Sequence, residues 1–417
     1  MTIKKLTIFS LLFISVSFLA WPGGQTSGDI HKNVLTIDTH VDIGRNYATK
    51  KLDPGIDNPR LRCDLVKMEK GGMDGVFLAV FVGQGALDEK GYKRAYETAI
   101  EKFNAIHRLT EKMYPDRCEL ALSPNEVKRI VDMGKKAIMI GIENGYPIGK
   151  DLSLVNKYYD MGARYITLCH SRHNQICDSS SQEDPLHNGF SEFGKKVVAE
   201  MNRLGIICDV SHISEKSFWD LIDITKAPVI ASHSGCSALN EHERNLTDRQ
   251  LKALAKNGGT IQIVALDSFL KAESPEHKEA MEKLRKKIGL PSQREIWGMS
   301  REERMALIPK FEEYARQKEE IEKRIPGTNV KDFVDHIDHA VKIAGIDHVG
   351  IGTDFDGGGG ISGFNNHAEA QNVTKELIQR RYSEEEIRKI WGENLLRVWS
   401  EVEKVAQDIS YKKKIKN

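Results

Sequence analysis

His40 and Asp42 close the run Val34-Leu35-Thr36-Ile37-Asp38-Thr39-His40-Val41-Asp42. Residues i and i+2 of a strand face the same side, so both side chains can aim at one point. An imidazole and a carboxylate that converge in this way form half of a divalent-metal site. The same arrangement, an apolar run finishing in a metal-type or proton-carrying residue, returns along the chain. Glu143 closes 137–143, His170 closes 164–170, His212 closes 205–212, His233 closes 227–233, and Asp354 falls near the end of 348–356. His40, Asp42, Glu143, His212 and His233 together suit two zinc ions, since zinc takes imidazole nitrogen and carboxylate oxygen. Glu143, in Gly141-Ile142-Glu143-Asn144-Gly145, is the natural bridge because a carboxylate has two oxygens to share. Taken singly, each histidine reads equally well as a core or surface residue, and Glu143 as half of an ion pair. Five such residues at the same end of four strands are harder to explain that way. His31, His107, His173, His187, His242, His277, His336, His339, His348 and His367 lack that placement and are not expected to be ligands.

Convergence of this kind needs a scaffold that brings strand ends together. Eight apolar, β-rich runs occur in order, at 34–42, 73–82, 137–143, 164–170, 205–212, 227–233, 259–266 and 348–356, with helical-period segments between most of them. Strand–helix alternation repeated eight times predicts an α/β chain folded as a (β/α)8 TIM-type barrel of the metal-dependent hydrolase kind. An open doubly wound sheet is the alternative, but no glycine-rich phosphate loop follows any strand, which disfavours a nucleotide-binding version. The charge-dense segment 271–330 breaks the rhythm after the seventh run and predicts two or three helices, with pairs such as Glu279 and Lys283 one turn apart. It falls on the face where barrel active sites lie. A lid, a homodimer contact and a solvated elaboration are its three readings.

The 417 residues carry a formal charge of +1, which gives no case for nucleic acid or an acidic partner. Lys4 and Lys5 precede an apolar stretch at 6–20 and the exit Trp21-Pro22-Gly23-Gly24, the pattern of a cleavable signal peptide over 1–24. That stretch is shorter than the roughly 20 residues of a spanning helix, so no stable membrane span is expected after cleavage, and the mature protein is expected in a periplasm or secreted. A single catalytic domain over 30–405 and a basic tail over 406–417 complete the expected organisation. Six scattered cysteines do not make a disulfide scaffold; Cys169, Cys208 and Cys236 read as buried thiols, and a Cys63–Cys118 bridge stays open.

Several further stretches are Thr167-Leu168-Cys169-His170, Asp209-Val210-Ser211-His212, Ser232-His233-Ser234, Arg244-Asn245-Leu246 and Gly352-Thr353-Asp354-Phe355-Asp356-Gly357. With the His40 and Glu143 motifs, they make the chain resemble the membrane (renal) dipeptidase family of binuclear zinc metallopeptidases over about residues 33 to 401. The resemblance implies that His40 and Asp42 bind one zinc and His212 and His233 the other, with Glu143 bridging. It implies substrate roles for His170, Arg244 and Asp354, and a catalytic set of Glu143, Asp354 and His170. The function implied is an exported zinc dipeptidase that opens the peptide bond of a small dipeptide with a metal-activated bridging water. Another barrel amidohydrolase, a deaminase or lactonase, would more often open with His-x-His and bridge through a modified lysine; His-x-Asp and Glu143 favour the dipeptidase. A non-catalytic exported binding protein would not need Asp354 beside two metals. The C-terminus, Lys412-Lys413-Lys414, lacks the apolar tail of a glycolipid anchor, so anchoring is not carried over.

Overall fold

The computed structural model describes residues 26–292, 295, 296, 299, 303 and 306–416; the leader at 1–24 lies outside the described residues. Nine strands form one parallel sheet: β1 (Ile37–Asp42), β2 (Gly75–Phe81), β3 (Cys118–Leu120), β4 (Lys136–Glu143), β5 (Ala163–Thr167), β6 (Ile207–Asp209), β7 (Ile230–Ser234), β8 (Thr260–Ile263) and β9 (Val349–Ile351). Hydrogen bonding runs in the order β1-β2-β4-β5-β6-β7-β8-β9, so the eight expected runs supply the eight staves of the barrel. The ninth strand, β3, is a three-residue flank on β4 that the sequence pattern did not mark, being too short to show a period of two.

The ring closes through a thin seam. Val41 bridges Phe355 in parallel, the Asp42 amide donates to the Phe355 carbonyl at 2.9 Å, and the Asp354 amide donates to the His40 carbonyl at 3.0 Å. Asp38, fully buried, reinforces it. One oxygen accepts from the amides of His40 (3.1 Å) and Thr353 (2.9 Å), and the other takes the Thr353 hydroxyl (2.5 Å) and His367 Nε2 (2.8 Å). A buried carboxylate is tolerable only when its lone pairs are filled, and here all the donors lie where β1 meets the β9 loop.

Inside the barrel, Ile37, Phe77, Met139, Tyr165, Ile207 and Ile230 pack with Leu395, Val398 and Trp399 of the C-terminal helix, Asn394–Lys416. That helix plugs the end of the barrel away from the polar strand ends, leaving only the other end open for chemistry. The last residues, expected as a separate basic tail, continue this helix to Lys416. The insertion forms helices Pro275–Ile288 and Ile308–Glu322, with Glu279 and Lys283 paired at 2.6 Å. All six cysteines are buried free thiols, Cys63 and Cys118 included. No described helix is long and apolar enough to cross a membrane.

Candidate metal centre and active site

The strands stop sooner than the apolar runs that predicted them. β5 ends at Thr167, β6 at Asp209 and β9 at Ile351, so His170, His212 and Asp354 sit on the loops just beyond. His212 (φ 72°) and Asp354 (φ 59°) adopt the left-handed conformation. Non-glycine residues there cost of order 1 kcal/mol or more and mark places where the chain is bent to aim a side chain. On β1 the register against β2 shifts between Asp38 and Val41, which places the irregularity in the Thr39–His40 pair.

The loops and strand ends bring all eight expected site residues together. Glu143 is the centre. Its Oε2 lies 3.6 Å from His40 Nε2, while its Oε1 faces the other side, at 3.0 Å from His212 Nε2, 3.4 Å from His170 Nε2 and 3.6 Å from His233 Nε2. His212 and His233 approach each other at 2.9 Å between Nε2 atoms, and His40 reaches within 4.0 Å of Asp354 Oδ1. A Cβ on Gly357 would fall 2.2 Å from both Asp354 Oδ1 and Asp42 Oδ2, so only glycine lets the loop pass over the two carboxylates. His40 Nε2, Asp42 Oδ1 and Glu143 Oε2 are buried with no hydrogen-bond partner in the described residues. Buried polar atoms are almost always satisfied, and a cation between them would satisfy all three. The ten histidines set aside earlier belong to none of the described groups that could hold a metal ion; His336, for one, bonds the Leu270 carbonyl and the Cys236 amide.

Three of the four imidazoles are held from behind. His40 Nδ1 meets the Tyr165 hydroxyl at 2.8 Å. Tyr165 fits because Gly141 has no side chain: a Cβ there would sit 2.0 Å from the ring. Behind His233, the Ser232 hydroxyl donates to Asp209 (2.6 Å) and accepts from Nδ1 (2.8 Å), which leaves the free lone pair on Nε2, facing Glu143. Asp209 takes further bonds from Thr167 and from the Ser211 and Ser232 amides. His170 Nδ1 meets Ser171 Oγ at 2.9 Å, whereas His212 Nδ1 has no partner among the described residues. Tyr165, Ser232 and Asp209 were not singled out from the sequence. Asp209 carried the one available sign, an aspartate at the same offset before Ser211 as Asp38 before His40.

Burial and neighbours set the protonation states. Burial works against the His40 imidazolium, but Glu143, Asp42 and Asp354 outweigh it and raise its pKa to about 9. Burial, then Glu143, pushes the Asp42 carboxyl up to about 7. Burial also lifts Asp354 well above the carboxylate range, against the pull of His40. Glu143 stays well below that range: burial opposes its charge, but the surrounding histidines prevail. His212 and His233 are pushed far down, first by burial and then by cationic neighbours including Arg244.

Above the cluster lies a cavity of about 280 Å³ lined by Asp42, Phe81, Glu143, His170, Arg244 and Asp354, among others. Arg244 is 5% exposed, donates to the His233 carbonyl at 3.1 Å and keeps Nε without a partner among the described residues. It makes no salt bridge among the described residues, so a helix-start ion pair there does not account for it. Asp356, by contrast, accepts from the Arg62 and Cys63 amides (2.8 and 3.3 Å) and holds a loop. Lys102, from helix Glu89–Arg108, is a buried cation behind Phe81, its Nζ 5.4 Å from the ring centroid; burial draws its pKa down, against Asp42 and Glu143. In sequence it is one lysine of an amphipathic helix, and nothing there points to the cavity.

A parallel eight-stave barrel with this donor set at its open end defines a metal-dependent hydrolase. The chain belongs to the membrane dipeptidase family (peptidase family M19), whose model matches residues 25–413, and it is a metallo-dipeptidase. It is 32% identical to the dipeptidase tcpJ of Claviceps purpurea, over 82% of this chain and 70% of that protein. It is 31% identical to the dipeptidase verJ of Clonostachys rogersoniana, over 90% of this chain and 86% of that one. Among solved structures, the probable dipeptidase PvdM from Pseudomonas aeruginosa superposes with a TM-score of 0.77 at 32% identity, over 91% of this chain and 98% of that one.

Proposed function

We propose that the protein is an exported dinuclear zinc dipeptidase. In this reading His40 and Asp42 hold one ion, His212 and His233 the other, and Glu143 bridges them. The observation that carries it is Glu143 itself: its two oxygens face different histidines, Oε2 toward His40 and Oε1 toward His212 and His233. When bound, the zinc pair supplies a nucleophilic water of lowered pKa and a Lewis acid for the peptide carbonyl.

The chain's own residues do the rest. Arg244 receives the substrate's terminal carboxylate in a bidentate fork, and its buried, partly unpartnered guanidinium is ready for an anion. Arg244 bonds the carbonyl of the proposed ligand His233, and a clamp this close to the metal site favours a substrate with one residue beyond the bond to be cut, a dipeptide. His170, 28% exposed at its side chain, reaches the cavity and donates to the carbonyl oxygen as charge develops there. Asp354, as the carboxylate, takes the proton from the attacking water and delivers it to the leaving amine; its burial makes it a stronger base and helps it hold the proton in between.

The test is a panel of dipeptides on the purified protein, with and without chelator, alongside metal analysis. Two zinc ions per chain and loss of hydrolysis on chelation are expected; fewer than two metals, or hydrolysis indifferent to chelation, would overturn the reading. Export is supported by the basic start and short apolar run ahead of Trp21. Sequencing the N-terminus of the secreted or periplasmic protein should find it beginning near residue 25.

A further inference from the structure

The Arg244 guanidinium is held by one hydrogen bond among the described residues, from Nη2 to the His233 carbonyl at 3.1 Å. One such bond leaves a planar fork free to turn about it. The other contact is an aromatic face: Arg244 Cζ lies over the Phe269 ring, 5.4 Å from its centroid. Phe269 also meets the His242 ring, with centroids 4.4 Å apart, and His242 Nδ1 accepts the Arg244 amide at 3.1 Å. The ring is itself anchored. In its short helix, Asp267–Leu270, three consecutive carbonyls are taken by side chains: Asn240 Nδ2 donates to Ser268 (2.7 Å), Asn245 Nδ2 to Phe269 (2.7 Å) and His336 Nε2 to Leu270 (2.8 Å). Phe269 lines the metal pocket together with Arg244, and no step of the proposed reaction employs it.

We propose that Phe269 is the positioning residue of the carboxylate clamp, fixing the Arg244 guanidinium through a cation–π contact while leaving its N–H donors to the substrate. The inference rests on the dipeptidase reading, with Arg244 as clamp. A carboxylate neighbour would also fix the guanidinium, but it would occupy the fork and cancel the charge that the substrate is to meet. An aliphatic neighbour would leave the donors free but would not attract the cation. A ring face meets both needs, since its quadrupole attracts the cation and stacking claims none of the in-plane donors. The attraction is strongest where water is excluded, and Arg244 is buried.

Kinetics with Ala-Ala on the purified zinc enzyme and on Phe269→Leu, Phe269→Met and Phe269→Tyr, with metal analysis of each, test this. Leucine and methionine keep apolar bulk but remove the π face. Each should raise KM on the order of tenfold, with kcat within about twofold and zinc content unchanged. Tyrosine keeps the ring and should stay within about threefold of wild type. In an Arg244→Ala background, Phe269→Leu should add less than about twofold, because no cation is left to hold. A ring that merely packs the loop would instead lower kcat, cost zinc or add its full effect to Arg244→Ala. An unchanged KM in the leucine and methionine variants, zinc loss in both, or a full effect in the Arg244→Ala background overturns the positioning role. Failure of the wild-type enzyme to hydrolyse any dipeptide, or an Arg244→Ala variant with unaltered kinetics, would overturn the parent reading and the inference with it.

Discussion

The two sides of the metal cluster share Glu143 and otherwise differ. On the seam side, between β1 and the β9 loop, His40 is surrounded by Glu143, Asp42 and Asp354, and its pKa is raised to about 9. On the opposite side, at the ends of β6 and β7, His212 and His233 face each other under the buried guanidinium of Arg244 and stay neutral. One half thus holds protons where a metal is to bind, while the other presents free lone pairs. The supports differ as well: a tyrosine hydroxyl behind His40, and a serine–aspartate relay behind His233. The histidine half is therefore organised in advance, and the carboxylate half is completed by exchanging protons for metal.

Glu143→Ala breaks the comparison outright, because it removes the one group both halves use. Both ions should be lost, and dipeptide hydrolysis should fall by at least about 10⁴-fold, since the nucleophile and the Lewis acid go together. Metal analysis of the purified variant checks this. Retention of one full equivalent would mean that one half binds without the bridge.

Arg244→Ala acts on the histidine half alone. Deleting the buried fork proposed to bind the carboxylate should cost about 100-fold in kcat/KM, mostly as a higher KM, with metal content unchanged. Unaltered dipeptide kinetics would refute the clamp.

How much of this could be read from the sequence follows from where the residues lie. His40, Asp42, Glu143, His170, His212, His233 and Asp354 each lie at or near the end of an apolar run, and a barrel gathers such ends, so composition and order alone place them. Their supports are not marked in that way. Tyr165 lies within a run and reads as core; only the missing side chain of Gly141, on the neighbouring strand, shows that its ring points inward under His40. Asp38 and Asp209 stand beside the proposed ligands in sequence, but their bonds reach Thr353, His367 and Ser232, contacts that exist only once the barrel has closed. The true strand lengths were hidden for a related reason. Apolar side chains continue past the last ladder bond, and the left-handed turns at His212 and Asp354 occur in residue types that do not announce them.

The finest distinction between the halves is their response to pH. A histidine must be unprotonated to bind a metal, so an ion on the seam side has to displace the His40 proton at any pH below about 9. Below about 7 it must also displace one from Asp42. The sign follows: apparent affinity on that side rises with pH, about tenfold per unit between 7 and 9 and more steeply below 7, then levels off above 9. His212 and His233 are held far below their usual range and Glu143 remains ionised, so above pH 6.5 the other ion should show almost no slope. Calorimetric titration of the metal-free protein with zinc, in buffers of different ionisation enthalpy at pH 8, should resolve one binding event that releases about one proton and another that releases almost none. Two events with equal proton release, or equal slopes against pH, would mean that the halves are electrostatically alike, and the contrast in their burial and charge would then have no bearing on how the centre loads.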